Sequence, residues 1–502
     1  MMLNRRIFLK STLAGTSLAA LGAASAAESG KWDDACDVVV LGCGAAGLMA
    51  AIQAADGGAS VRIFDKGTSP YHTSTRLNGG CFAACNSKVQ ISQGVKDSPE
   101  EFAANIMRYG AGMSLKAPVM TYARNSGAAF DWLQDHGLAH GFWQPYVGHD
   151  IPRTVRQDTF NGKDYIDVLV REAASRGLKI EHDCGLLAFV RDKNGRVAGV
   201  ECGNAAKRIR VHARKGVVMA TGGVTGRAAE VAKWSPALSD AVTIGGGSND
   251  GAAIRIAVRD LGVPITHMSF FAEYPYALTI GPGRGPQFRY QYFVEHGAIL
   301  VDAEGRRFVN ETLAPTQISP LMKRNTGAAM YAVMTRDVFE KTAKKYPFGA
   351  LLSSRQWKRP QWEALLKEHG PAASADKLAD AAKAVGVNAE TLEKTVAEWN
   401  EAVRQKKDAS FGRSAFAEPL IKGPWIVVRI NLWVCLSMGG LRVNERLQVL
   451  GWDDRPIEGL HAAGEVVGGV HGEHYLGGNA CGFAHTSGYV AGRLLTGQTV
   501  SL

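Results

Sequence analysis

A segment near the N-terminus restricts the fold more than any other. Asp37-Val38-Val39-Val40-Leu41 is a short apolar run rich in β-branched residues, and Gly42-Cys43-Gly44-Ala45-Ala46-Gly47 follows it directly. Leu48 to Ala55 reads as a helix, and Ser60-Val61-Arg62-Ile63-Phe64 as a second strand ending at Asp65. Glycines in GxGxxG order, set between strand and helix and about 20 residues before an acidic residue, are the pattern of a dinucleotide-binding βαβ unit. Each position has a physical task. Gly42 allows the tight turn, Gly44 lets backbone approach a pyrophosphate, and Gly47 lets the helix lie on the strand. The helix N-terminus offers N–H groups and a favourable dipole to phosphates. Asp65 is expected to accept hydrogen bonds from the adenosine ribose. Ala46 and Lys66 sit in the same two turns and are counted with the site.

Further small-residue turns lie hundreds of residues apart, yet all could line one elongated ligand. Ser74, Thr75 and Asn78-Gly79-Gly80 form a polar, glycine-rich stretch suited to pyrophosphate and flavin. Ala220-Thr221-Gly222 closes a strand that begins at Gly216. Leu460-His461-Ala462-Ala463-Gly464-Glu465 is another strand and turn, and it leads to Leu476-Gly477-Gly478-Asn479-Ala480 and a final helix. This spread favours FAD over NAD. No covalent attachment motif stands out, so the FAD is expected to be non-covalent. No second full GxGxxG with strand and helix follows, so a resident nicotinamide site is not expected.

At 502 residues the chain is longer than one domain usually needs, and two are expected. Apolar residues make up 46% and charged residues 21%, an ordinary globular balance. Asn4-Arg5-Arg6-Ile7-Phe8-Leu9-Lys10, an apolar run to about Gly22 and Ala24-Ser25-Ala26 read as a charged head, a short hydrophobic core and a small-residue cleavage site. Adjacent arginines before Phe-Leu-Lys resemble a twin-arginine export signal, so residues 1–26 are expected to be removed and the enzyme to be soluble in the periplasm. Losing Arg5, Arg6 and Lys10 takes the formal net charge from +10 to about +7. The remaining basic residues are dispersed, so neither nucleic acid nor stable membrane insertion is expected. None of the eight cysteines forms CxxC or CxxCH, so no c-type haem and no metal site is expected. Cys81 and Cys85 could pair in an oxidising compartment, although free buried thiols are the preferred reading.

These motifs resemble those of the FAD-binding family of soluble fumarate reductases, urocanate reductases and 3-ketosteroid dehydrogenases. The matching stretches continue with Ala220 to Gly223, Asn249-Asp250-Gly251, Gly297-Ala298-Ile299-Leu300-Val301 and Arg306-Arg307-Phe308-Val309-Asn310-Glu311. Trp399-Asn400-Glu401, Phe411-Gly412-Arg413 and Ser437-Met438-Gly439-Gly440 complete the series. The resemblance adds Asp250 to the cofactor set. It implies an α/β fold in which a Rossmann-like FAD-binding domain, 31–268 and 437–502, is interrupted by a smaller α+β capping domain at 269–436. The helical periodicity of Gln361 to Arg404 fits such an interruption.

The same resemblance implies departures at the substrate. The arginine that family fumarate reductases use as proton donor falls on Pro315, and the arginine that clamps a carboxylate falls on Tyr475. Two histidine positions fall on Leu436 and Tyr274. Every dicarboxylate group that can be carried over has changed, so fumarate is not the expected substrate. Family ketosteroid dehydrogenases have a tyrosine at the Tyr475 place, where its hydroxyl and a backbone N–H polarise a ketone. A phenol is a neutral donor suited to a developing enolate; arginine suits a full carboxylate. Tyr475, with N–H groups near Gly478 and Asn479, is therefore expected to hold a carbonyl oxygen. Tyr292, or alternatively Tyr274, Tyr276, Tyr290 or His474, is expected to move the proton. The expected reaction is hydride exchange at flavin N5 with a C=C or CH–CH bond next to a carbonyl. Electrons would come from a separate cytochrome or quinol-linked donor. An unsaturated carboxylate held by Arg284, Arg289 or Arg324 is the first alternative, and a catalytically silent flavoprotein the second.

Overall fold

The computed structural model describes residues 31–502 apart from 144, 145, 147, 160, 281–285, 328, 354–357 and 369, so the export signal read at 1–26 lies outside the described residues. The elements that build the site are, along the chain, β1 (Asp34–Leu41), α1 (Ala45–Asp56), β2 (Val61–Phe64), β3 (Arg208–Met219), β4 (Phe271–Ala277), α2 (Pro315–Thr326), β5 (Ala329–Thr335), β6 (Trp425–Ser437), β7 (Pro456–Ala462) and α3 (Asn479–Leu495).

In the first sheet β7, β3, β1 and β2 lie side by side and run parallel. Val38 to Leu41 are buried throughout, and strands covered on both faces read as unbroken apolar runs. α1 and α3 pack together at backbone distance. A Cβ on Gly488 would lie 2.2 Å from the Ala46 carbonyl oxygen, and one on Gly492 2.3 Å from that of Ala50. Any larger residue would separate the helix that carries the glycine loop from the helix that closes the chain.

The second sheet is mostly antiparallel and centres on β6, flanked by β5 and β4, with Tyr274 opposite Trp433 and Phe271 opposite Ser437. Helices such as α2 cover it, and its apolar core, with Ile299, Val333, Trp362 and Val427, is separate from that of the first sheet. This α+β unit is the cap. β6 leaves it at Ser437, whose hydroxyl reaches Glu465 of the other unit at 2.9 Å. Among the described residues no helix is long and apolar enough to cross a membrane. All eight cysteines are free; Cys81 and Cys85 are separate buried thiols.

Three of the motifs quoted above meet in one buried structure. Arg307 bonds Glu311 at 2.7 Å and Asp408 at 2.9 Å, while Arg413 reaches Glu311 at 3.4 Å. Arg413 also donates to the carbonyls of Val294 and Ala298. Both guanidiniums lie against the Trp399 ring, 4.6 and 4.5 Å from its centroid. Charges so deeply buried persist only when paired and hydrogen-bonded. Here the pairing anchors the turn that launches α2.

Candidate active site

The dinucleotide cradle forms where β1 turns into α1. Gly42 has φ +107°, and a Cβ there would lie 2.3 Å from the Ala220 carbonyl oxygen. A Cβ on Gly47 would lie 1.9 Å from the Gly42 carbonyl oxygen. Gly44 differs: the nearest atom to its Cβ would be Thr75 Oγ1 at an ordinary 3.4 Å. Protein neighbours do not demand glycine at 44, so the open space above it is left for a ligand. Asp65 accepts from Cys43 N at 2.7 Å and Gly67 N at 2.6 Å, and each carboxylate oxygen keeps a second acceptor direction. Asp65, Lys66, Thr221, Gly222 and Asp250 line one cavity beside Gly42. Lys66 pairs there with Asp250.

Other residues read as cofactor ligands hold one another. Ser74 Oγ accepts from Gly246 N and from the Asn249 amide. Thr75 Oγ1 accepts from Ala45 N at 3.0 Å. Asn78 spans its own turn, donating to Thr75 O and accepting from Gly80 N. Gly79 is open on its Cβ side, and Ala46 lies directly under Gly464. Glu465 accepts from Ser437 N, Ser437 Oγ and Asn249 Nδ2, each at 2.9 Å. Burial pushes its carboxyl up against those bonds.

Buried polar atoms without partners test whether FAD fits. Both amide atoms of Asn479, fully buried at the start of α3, lack a hydrogen bond among the described groups. Thr221 Oγ1, Asn249 Oδ1 and Thr486 Oγ1 are in the same state. Buried groups of this kind are normally satisfied, and leaving one unpaired costs about 1–3 kcal/mol. An amide offers one donor edge and one acceptor edge, which suits a flavin ring edge, while hydroxyls suit ribityl and phosphate oxygens. The residues fit the cofactor.

A second cavity is lined by Phe270, Phe271, Glu273 and Lys323 of the cap with Tyr475 and the proton candidate His474. The Tyr475 phenol oxygen accepts from Gly478 N at 3.2 Å and from Ala480 N at 3.4 Å. Burial holds its pKa well above the ordinary phenol range. The His471 ring meets Tyr475 edge-on at 5.3 Å, and burial drops its imidazole to about 3, so it is neutral. Leu436 packs with Ala272 and Met438 in a small cluster that Tyr475 joins. Tyr274 stacks on Tyr276 at 5.6 Å. The structure thus brings Tyr475, Leu436 and Tyr274 into one region, with Pro315 opening α2 at its edge.

Three expectations change. Tyr292 is not in this group; its ring lies against Tyr346 at 4.4 Å, on the flank of the cap core. A residue in a helical turn of aromatics gives no clue to which face looks inward. The N–H groups beside Tyr475 do not reach into the cavity either: that of Gly478 points at the phenol, and that of Asn479 at the Leu476 carbonyl. Tyr290 is buried in the cap core with its hydroxyl unpaired. Tyr146 was missed. It comes from an irregular segment 329 residues before Tyr475, and a Cβ on Gly477 would lie 2.2 Å from its ring. No local sequence signal marks such a contact.

Residues 37–481 match the family model described as an FAD binding domain. An NADH:fumarate oxidoreductase of Klebsiella pneumoniae is 30% identical over 93% of this chain, which spans only 49% of that longer protein. The acrylate reductase flavoprotein subunit of Shewanella woodyi is 29% identical over 98% of both chains. The open conformation of a flavocytochrome c3 fumarate reductase superposes with a TM-score of 0.76 at 25% identity, covering 93% of this chain and 79% of that one.

Proposed function

Because this chain belongs to the FAD binding domain family, we propose that it is an FAD-dependent reductase of a C=C bond conjugated to a carbonyl group. The bound flavin supplies hydride chemistry at N5. The chain's own residues do the rest. The glycine loop, Asp65, Lys66 and Thr221 hold the adenosine and phosphate end, and Asn479 and Thr486 the flavin end. Phe270 and Phe271 give the cavity beside Tyr475 an apolar wall.

The observation that carries the reading is the Tyr475 phenol. Its oxygen takes two N–H groups at the start of α3, so its own proton is left to donate. A hydroxyl whose oxygen already accepts N–H bonds is a stronger donor, because hydrogen bonds in a chain polarise one another. Such a neutral donor matches a carbonyl oxygen gaining enolate character. The test is flavin reduced without oxygen and mixed with a panel of enones and acrylates. Wild-type protein is expected to reoxidise on an enone, and Tyr475→Phe to do so about 100-fold more slowly. Equal rates for the two would overturn the assignment.

A second reading, an unsaturated carboxylate, is favoured by Arg289. Its guanidinium lies 4.4 Å over the Tyr276 ring, and among the described residues it is in no salt bridge. Arg324 is exposed, and Arg284 lies outside the described residues. The name of the Shewanella woodyi relative supports this alternative. The twin-arginine pattern at residues 5 and 6 supports export to the periplasm, where the reading calls for a separate electron donor such as a cytochrome or quinol-linked protein.

A further inference from the structure

Each reduction of a C=C bond consumes one proton from water, and the family position for the proton donor is Pro315 here. The cavity contains another candidate. On α2, Thr316, Ser319 and Lys323 fall on one helical face and line its wall. Lys323 Nζ bonds Glu273 Oε1 at 2.7 Å. The lysine side chain is 27% exposed and the glutamate 7%, so the pair runs from water inward to the cavity that also holds Tyr475. Ser319 Oγ bonds the Glu273 carbonyl at 3.0 Å and fixes that backbone against α2. Tyr274 stacks on Tyr276, and among the described residues no charged side chain is hydrogen-bonded to it. Burial lifts the Glu273 carboxyl although Lys323 opposes the shift, which suits a group that must accept and release a proton.

We propose that Lys323 and Glu273 form the proton-delivery pair of this site, with Glu273 as the group that reaches the substrate. The proposal rests on the carbon–carbon reductase reading above. Lys323 passes one ammonium proton to the carboxylate oxygen it already bonds. Glu273 passes a proton to the α carbon, where the new C–H bond uses the electron pair freed when hydride adds at the β carbon. The hydride and its two electrons come from the reduced flavin, and water reprotonates Lys323.

The experiment uses the FAD-loaded full chain and the best enone or acrylate from the panel. Single-turnover reoxidation is followed at saturating and half-saturating substrate for Glu273→Gln, Glu273→Asp and Lys323→Ala. Flavin absorbance reports that cofactor remains bound. Glu273→Gln and Lys323→Ala are expected to lower the saturated rate about 100-fold with half-saturation little changed. Glu273→Asp is expected to keep part of the rate, and ethylammonium to restore Lys323→Ala at least about tenfold by filling the vacated space with an acid. A purely structural ion pair would not respond to the added amine. The pair is refuted if either neutral variant stays within about threefold of wild type. It is refuted equally by a loss confined to half-saturation, or by a Lys323→Ala defect that ethylammonium leaves unchanged while flavin stays bound. Wild-type protein inert on the whole panel would instead sink the reductase reading, and this pair with it.

Discussion

Two buried polar regions of this molecule are built on opposite terms. In the cap, Arg307, Glu311, Asp408 and Arg413 satisfy one another and nearby carbonyls, with Trp399 between the two guanidiniums. In the first unit, the Asn479 amide and the Thr221 and Thr486 hydroxyls are buried with no partner among the described residues. The first arrangement is complete without any ligand and holds shape. The second is incomplete until something with complementary donors and acceptors arrives. A protein interior tolerates unpaired groups mainly where function fills them.

Breaking the closed network should give the largest effect. Glu311→Gln leaves two buried guanidiniums short of charge, and a loss of about 3–5 kcal/mol in unfolding free energy is expected. Urea melts of the FAD-loaded protein would read it. A loss below about 1 kcal/mol would mean the network is not the anchor of the cap. Tyr475→Phe tests the other kind of region: a catalytic loss of about 3 kcal/mol in activation free energy is expected, with a stability loss of about 1–3 kcal/mol because the Gly478 and Ala480 N–H groups are left without their acceptor.

Acid should separate the two regions. Burial depresses His149 and His461 to about 4 and His471 to about 3 in the folded state. An unfolded histidine binds its proton near pH 6.5, so these groups favour the folded state above that pH and progressively less as pH falls toward 4. Asp408 is shifted down by Arg307, despite burial, and its contribution is lost only below the usual aspartate range. Urea melts at pH 7 and 5 are therefore expected to show a stability loss that His471→Asn and His461→Asn reduce and Asp408→Asn does not. A flat profile over that range would remove the distinction.

Smaller effects sharpen the contrast. Asn479→Ala is expected to weaken FAD binding about tenfold, roughly 1.4 kcal/mol, while leaving the FAD-free protein as stable as wild type or more so. Isothermal titration and melts of both forms decide it; equal destabilisation with and without FAD would make Asn479 structural. Arg289→Met is expected to raise half-saturation for acrylates about fivefold and for enones not at all if the carboxylate reading holds.

Much of the cofactor half was legible because its signals are local. The positive φ of Gly42, the approach of Gly47 to Gly42 and the Asp65–Cys43 bond all fall within one βαβ unit, where spacing along the chain is spacing in the molecule. Other cofactor candidates were legible only as a group. Ser74, Thr75, Asn78 and Glu465 bond to protein neighbours, and no spacing rule distinguishes a residue that touches a ligand from one that shapes the loop beside it. Tyr292 shows the same limit in the cap, where an aromatic residue on the short Tyr290–Val294 helix turned toward Tyr346.

The chain order of residues by itself determined the glycine turn, the buried parallel strands and the non-arginine residues Pro315 and Tyr475. Those follow from backbone sterics and side-chain chemistry, which a residue carries wherever it is placed. Tertiary structure alone decided that Tyr146 meets Gly477, that Tyr475 spends its neighbouring N–H groups on its own oxygen, and that Lys323 reaches Glu273. Such contacts depend on how two separately folded layers close on each other, and side-chain direction across that seam is not written in any short stretch of sequence.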